Sequence, residues 1–142
     1  MKRILVALDA SDRAGPVLAA AARMAELANA KLVLFRAINV PSELPRELLA
    51  VSDVRLEDVL KRNAHEQLAR LASTLPDGLV EQITTEIAAP WDGICRAGRS
   101  HDADLIVIGS HGFGGLDHLL GTTAAKVVNH ADRNVLVVRT RL

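Results

Sequence analysis

The hydrophobic residues of this chain follow two alternating spacings. Five short runs rich in Val, Ile and Leu recur, at 4–8 (ILVAL), 31–38 (KLVLFRAI), 79–87 (LVEQITTEI), 105–108 (LIVI) and 135–138 (VLVV). Four of them are almost continuously apolar, as strands covered on both faces are. The third interleaves Glu81, Gln82 and Glu86 and reads as an edge strand. Between the runs the apolar positions recur every three or four residues, the period of an α-helix. Residues 15–28 follow Asp12, carry Pro16 as a second start signal, and stop at Asn29, a residue that tolerates the left-handed conformation of a helix end. Leu56, Leu60, Ala64, Leu68, Leu71 and Leu75 form a second face, ended by Pro76, Asp77 and Gly78. Trp91, Ile94, Cys95 and Gly98 form a third behind Pro90; Leu120, Ala124, Val127, Val128 and Ala131 form a fourth.

Strands and helices that alternate strictly predict a doubly wound α/β fold. Each parallel connection must cross over the sheet, and a helix is what covers it. The expectation is an open five-stranded parallel sheet with helices on both faces, in one domain spanning residues 1–142. Residues 39–53 (NVPSELPRELLAVSD) carry two prolines and read as the longest irregular connection, the place for a lid.

Composition narrows the partners. The aromatic stock is Phe35, Phe113 and Trp91 alone, so there is no stacking platform for single-stranded nucleic acid. With 17 basic and 17 acidic residues well mixed, no basic face points to duplex DNA or to an anionic membrane. That leaves a small molecule or a protein. Cys95, the one cysteine, lies in a helical apolar pattern and reads as packing. The start of the chain has too short an apolar run for a signal peptide, and no 18 apolar residues run together, so the expected location is the cytoplasm.

The chemistry is expected at residues 109–128, GSHGFGGLDHLLGTTAAKVV, which pack glycines directly behind the fourth strand. In open α/β sheets, ligands bind beyond the carboxyl ends of the strands, where the strand order reverses. Free backbone amides beside a helix N-terminus suit an anion, above all a phosphate. Known phosphate fingerprints do not fit. Gly121 is followed by Thr122 and Thr123 with no Lys, so this is not a P-loop; the first strand is followed by LDASDRAG, not by Gly-x-Gly-x-x-Gly. Ser110 has Ile108 rather than Gly two places before it, so it is not the Ser of a nucleophile elbow. A receiver domain would need a strand-end Lys beside Asp9 and Asp12, whereas Lys126 lies in a helical pattern. His111, Asp117 and His118 invite a metal or acid–base reading, but no second cluster of ligand residues accompanies them, and neither a metal site nor a catalytic residue is assigned. Asp9 at a strand-to-helix junction can also cap the first helix or anchor a turn, and Thr122 and Thr123 can cap the fourth helix.

What the glycine stretch resembles is the nucleotide loop of the universal stress protein family: Gly, two residues, Gly, nine residues, Gly, then Ser or Thr. Here Gly109, Gly112, Gly121 and Thr122 reproduce it with eight residues in place of nine. ILVALDASD, INVP, DADLIVIGSHG and NVLVVR are similar to the family's other landmarks, although Ala89 precedes Pro90 where many members have Gly. The resemblance implies a Rossmann-like sheet of order 3-2-1-4-5, of the adenine nucleotide alpha hydrolase-like kind, and a site for ATP, with Mg²⁺ carried by the nucleotide. Matched by position, Asp9 and Val40 would lie at the base, Gly109 at the ribose, and Gly112, Gly121, Thr122 and Thr123 at the phosphates. Ala7, Ile108 and His111 complete the implied set. The missing residue takes up to about 3.5 Å from the reach of the loop, which Gly114 and Gly115 are free to offset. The family's last strand pairs with that of a second subunit, which implies a homodimer through residues 134–139 and covers an edge that would otherwise invite aggregation. A nucleotide-dependent switch with a protein partner, hydrolysing ATP slowly if at all, is the implied function; the alternative is a nucleotide-free interaction module of the same fold.

Overall fold

A computed structural model describes residues 1–40, 46–110 and 120–140, with residues 46–55 as backbone only. The element order is β1 (Arg3–Ala7), α1 (Ala14–Ala28), β2 (Lys31–Ile38), α2 (Arg46–Ala72), β3 (Val80–Ile87), α3 (Pro90–Ser100), β4 (Leu105–Gly109), α4 (Thr122–His130) and β5 (Asn134–Val138). The five strands form one sheet in the order β3-β2-β1-β4-β5, every pair parallel. This is the expected topology, with β3 on an edge. From β1 the chain winds outward to β2 and β3, then crosses back through α3 to β4 on the other side of β1 and on to β5, so the winding reverses between β1 and β4.

The apolar runs are continuous because both faces of the sheet are covered. Along β1, Ile4 and Val6 face a core shared with Val17, Leu18 and Ala21 of α1 and Leu68 of α2. Leu5, between them, faces the other core with Ile94 and Cys95 of α3 and Ala124 and Val127 of α4. Side chains alternate across a strand, so a run buried on both sides has no polar position to spare. The small residues of α1, Ala21, Ala22 and Ala25, let that helix lie close on the sheet. Burial pushes the Cys95 thiol above its ordinary pKa, which keeps it protonated and unreactive.

Helix ends differ in part from the sequence reading. Asn29 ends α1 in the left-handed region, at φ 53° and ψ 43°, and the Ala30 amide donates back to the Ala25 carbonyl at 2.8 Å, as expected of a helix end of this type. Asp12 does not start α1: Arg13 holds the cap position. Thr122 and Thr123 do not cap α4 either, because Gly121 is its N-cap and the two threonines are its first helical residues. The long connection is also shorter than expected, since α2 is already helical from Arg46. The RELLAVSD stretch has no proline or glycine to oppose a helix.

Candidate functional site

The carboxyl ends of β1 and β4 carry the chain away on opposite sides of the sheet, and a cavity of about 240 Å³ opens between them. Ala7, Leu8 and Asp9 leave β1 on one side; Ile108 and Gly109 end β4 on the other. Arg13, Ala14 and Val17 close it from α1, Pro90 and Ile94 from α3, and Thr123 and Ala124 from the first turn of α4. Most of this wall is aliphatic. Among the described lining residues, Asp9 and Arg13 are the ionisable ones.

Asp9 is held in a tight turn. Its Oδ1 accepts from the Ser11 amide at 2.9 Å and from the Ser11 hydroxyl at 2.5 Å, and Ser11 Oγ accepts in turn from the Arg13 amide at 3.2 Å. These are the local bonds by which Asp and Ser compete with helix for the backbone, and they hold the chain out of α1 until Arg13. The turn-anchoring role that Asp9 could play is therefore real, and it uses one carboxylate oxygen.

Behind this turn lies Arg36 of β2, only 8% exposed and the one charged residue buried among those described. Nε donates to the Leu8 carbonyl at 2.9 Å, Nη2 to the Asp9 carbonyl at 2.8 Å, and Nη1 to Gln67 Oε1 of α2 at 2.5 Å. Burial lowers the guanidinium pKa and the nearby Asp9 charge opposes that shift. An arginine stays protonated far above neutral pH in any case. Nothing in the strand pattern marks Arg36: it reads as the polar interruption of KLVLFRAI.

On the other side of the cavity, Gly109 permits a close approach of α1. A Cβ built there would lie 3.2 Å from Val17 Cγ2, so a larger side chain would enter the cavity or push α1 away. Ser110 follows with no exposed surface; its amide donates to the Val138 carbonyl at 2.9 Å and its carbonyl accepts from the Gly121 amide at 2.8 Å. The Ala125 amide donates to the Gly121 carbonyl at 3.0 Å, the first internal bond of α4. The amides of Thr122, Thr123 and Ala124 precede that bond, where helical geometry supplies no acceptor, and the positive end of the helix dipole lies with them.

Of the residues expected at the site, Ala7, Asp9, Ile108, Gly109 and Thr123 meet around this cavity. Val40 stands two residues beyond β2, half-buried and away from the lining; Thr122 is exposed, and Gly121 is spent on its bond to Ser110. His111 and Gly112 lie outside the described residues. Arg13, Ala37, Pro90 and Ile94 line the cavity without having been expected there. Pro90 carried a signal, because proline favours the first position of a helix, and in a parallel α/β sheet helices start at the carboxyl ends of the strands.

Among the described residues no group of three His, Cys, Asp or Glu could hold a metal ion, and no helix is long and apolar enough to cross a membrane.

Known proteins share both sequence and shape with this chain. The sequence profile of the Universal stress protein family matches residues 1–139. Universal stress protein A homolog 1 of Coxiella burnetii is 31% identical over 96% of this chain and 95% of its own. A universal stress protein solved in complex with cAMP superposes with a TM-score of 0.73, at 25% identity over 99% of this chain and 98% of that one. The universal stress protein from Archaeoglobus fulgidus in complex with dAMP gives 0.67, at 25% identity over 96% and 97%. A profile that spans nearly the whole sequence, on a sheet of the expected order, leaves one assignment: the chain belongs to the universal stress protein family.

Proposed function

We propose that this chain binds an adenine nucleotide, ATP with its Mg²⁺, in the cavity between β1 and β4, and acts in the cytoplasm as a homodimeric, nucleotide-dependent switch in the stress response. The observation that carries the reading is the cavity itself: an aliphatic slot at the reversal of strand order, with a carboxylate at one end and the first turn of a helix at the other. The slot suits a purine, Asp9 can accept from its amino group, and the amides of Thr122, Thr123 and Ala124 suit phosphate oxygens. Gly109 gives the sugar room beside Val17. The relatives bound to cAMP and dAMP support the adenine part of this reading.

The lining carboxylate, Asp9, is assigned to the base end of the site, so any hydrolysis rests on positioning and the nucleotide's own metal ion and is slow. The switch then works by occupancy, changing what a protein partner meets at the glycine stretch. One observation favours the alternative, a nucleotide-free interaction module: the Gly121 amide already has an acceptor in Ser110. Isothermal titration with Mg-ATP, AMP and cAMP, on protein shown by mass spectrometry to carry no nucleotide, separates the two. Micromolar binding that is lost in Gly121→Val supports the proposal; no binding to the parent chain rejects it and leaves the interaction module.

A further inference from the structure

We infer that Arg36 is the positioning residue of the site, setting the direction of the Asp9 side chain by clamping both peptide planes that flank it. This rests on the nucleotide reading above. The carbonyl of Leu8 belongs to the peptide entering Asp9 and the carbonyl of Asp9 to the peptide leaving it; Arg36 donates to both, at 2.9 and 2.8 Å. With the two planes held, φ and ψ of Asp9 are held, and so is its Cα–Cβ bond. The Leu8 amide is tied as well, to the Phe35 carbonyl at 2.9 Å.

The geometry requires arginine. A guanidinium presents several N–H donors in one rigid plane, which an ammonium on a flexible stem cannot reproduce. Burying a cation is costly, and no carboxylate pairs with Arg36 among the described ion pairs. Three oxygens compensate it, two of them in the turn that carries Asp9 and the third in Gln67 of α2. A residue needed only to fill this side of the core would be aliphatic, as Leu32 and Leu34 are on the same face of β2. Its arrangement makes sense when the turn must hold one conformation that its own short bonds do not determine. Gln67 accepts from the third donor, Nη1, and makes no bond of its own to the Asp9 turn.

The test compares Arg36→Lys, which keeps the charge and loses the fork, with Arg36→Met, which keeps most of the volume and loses both, and with Gln67→Leu, which spares the two carbonyl bonds. Titrations use adenosine and Mg-ATP; hydrogen exchange is followed at the Ser11 amide, the donor to Asp9 Oδ1. Both Arg36 variants are expected to bind adenosine and ATP about tenfold more weakly, the loss of roughly one good hydrogen bond. The ratio of the two affinities stays unchanged because the phosphate end is untouched. Ser11 exchange accelerates in both, and Gln67→Leu stays within about twofold of the parent. A charge or packing role would instead be rescued by Lys or by Met. Full affinity in Arg36→Lys, or unchanged Ser11 exchange in either Arg36 variant, overturns the inference. If the parent binds no adenine compound, the nucleotide reading fails, and Ser11 exchange alone still decides whether Arg36 holds the Asp9 turn.

Discussion

The amide of Gly121 donates to the carbonyl of Ser110 at 2.8 Å, so the two ends of the glycine stretch are tied to one another where β4 gives way to α4. Ser110 is in turn tied to Val138 of β5. One buried serine thus joins the start of the loop, the start of the helix and the last strand through its backbone alone. Gly121→Pro removes the donor at a φ of −62°, which proline adopts without strain. The Ser110 carbonyl is then left unpaired, and we expect a loss of about 1 kcal/mol in urea unfolding. An unchanged midpoint would show that the bond contributes nothing in solution.

Gly98 on α3 faces the sheet where no Cβ fits: one built there would lie 2.7 Å from Ile106 Cδ1 and 3.2 Å from Arg133 Cδ. Gly98→Ala gains up to about 1 kcal/mol of helix propensity and loses more to the clash, since overpacking a closed core costs about 1–3 kcal/mol. Ile106→Val removes the Cδ1 atom. Alone it should cost about 1 kcal/mol as a small cavity; combined with Gly98→Ala it should cost less than the sum of the two. Additive losses in a double-mutant cycle would mean that the helix shifts away instead.

The carboxylate of Asp104 accepts from the amides of Lys2 and Arg3 at 2.6 and 2.9 Å, and these bonds hold its pKa below the ordinary value. A carboxyl whose pKa is lower in the folded state stabilises the fold above the unfolded pKa of about 3.9, and that contribution disappears as pH falls through the lower folded value. Asp104→Asn is therefore expected to be less stable than the parent at pH 7, with the gap narrowing toward pH 3. A gap constant across that range would contradict the assignment.

β5 forms one edge of the sheet and β3 the other. Val138 points its carbonyl at the β4 side, to Ser110, so Val137, with the opposite orientation, turns its amide outward. If the proposed dimer pairs these edges, Val137→Pro removes an intersubunit donor while the β4 ladder stays intact. Light scattering on the eluted peak should read a dimer for the parent and a monomer for the variant. A monomeric parent would reject the dimer.

The sheet was readable in the sequence because burial on both faces leaves no room for alternation: ILVAL, KLVLFRAI, LIVI and VLVV could hardly be anything but covered strands. Helix starts were less readable. Asp12 and the threonines of α4 are good capping types, yet Arg13 and Gly121 hold those positions, because Asp9 and Ser11 bond each other first and Gly121 bonds back to Ser110. The RELLAVSD turns of α2 follow two prolines, Pro41 and Pro45, that read as loop signals in the sequence.

The site divides in the same way. Residue types and spacing pointed to glycines behind the fourth strand and ahead of a helix, because those features are local in the chain; Asp9 and Gly109 were implied by the resemblance to the universal stress protein family. Which of them share a cavity was decided by the pairing of β4 beside β1. That pairing brings Ala7, Gly109 and Thr123 around one space, leaves Val40 outside it, and recruits Arg13 and Pro90 from two helix starts far apart in sequence. Arg36 is the clearest case. Its significance comes from two carbonyls 27 and 28 positions away, and no local pattern announces a contact made across neighbouring strands. Sequence determined which segments are buried strands and which are amphipathic helices; only the packing of β2 beside β1 decided what holds Asp9 in place.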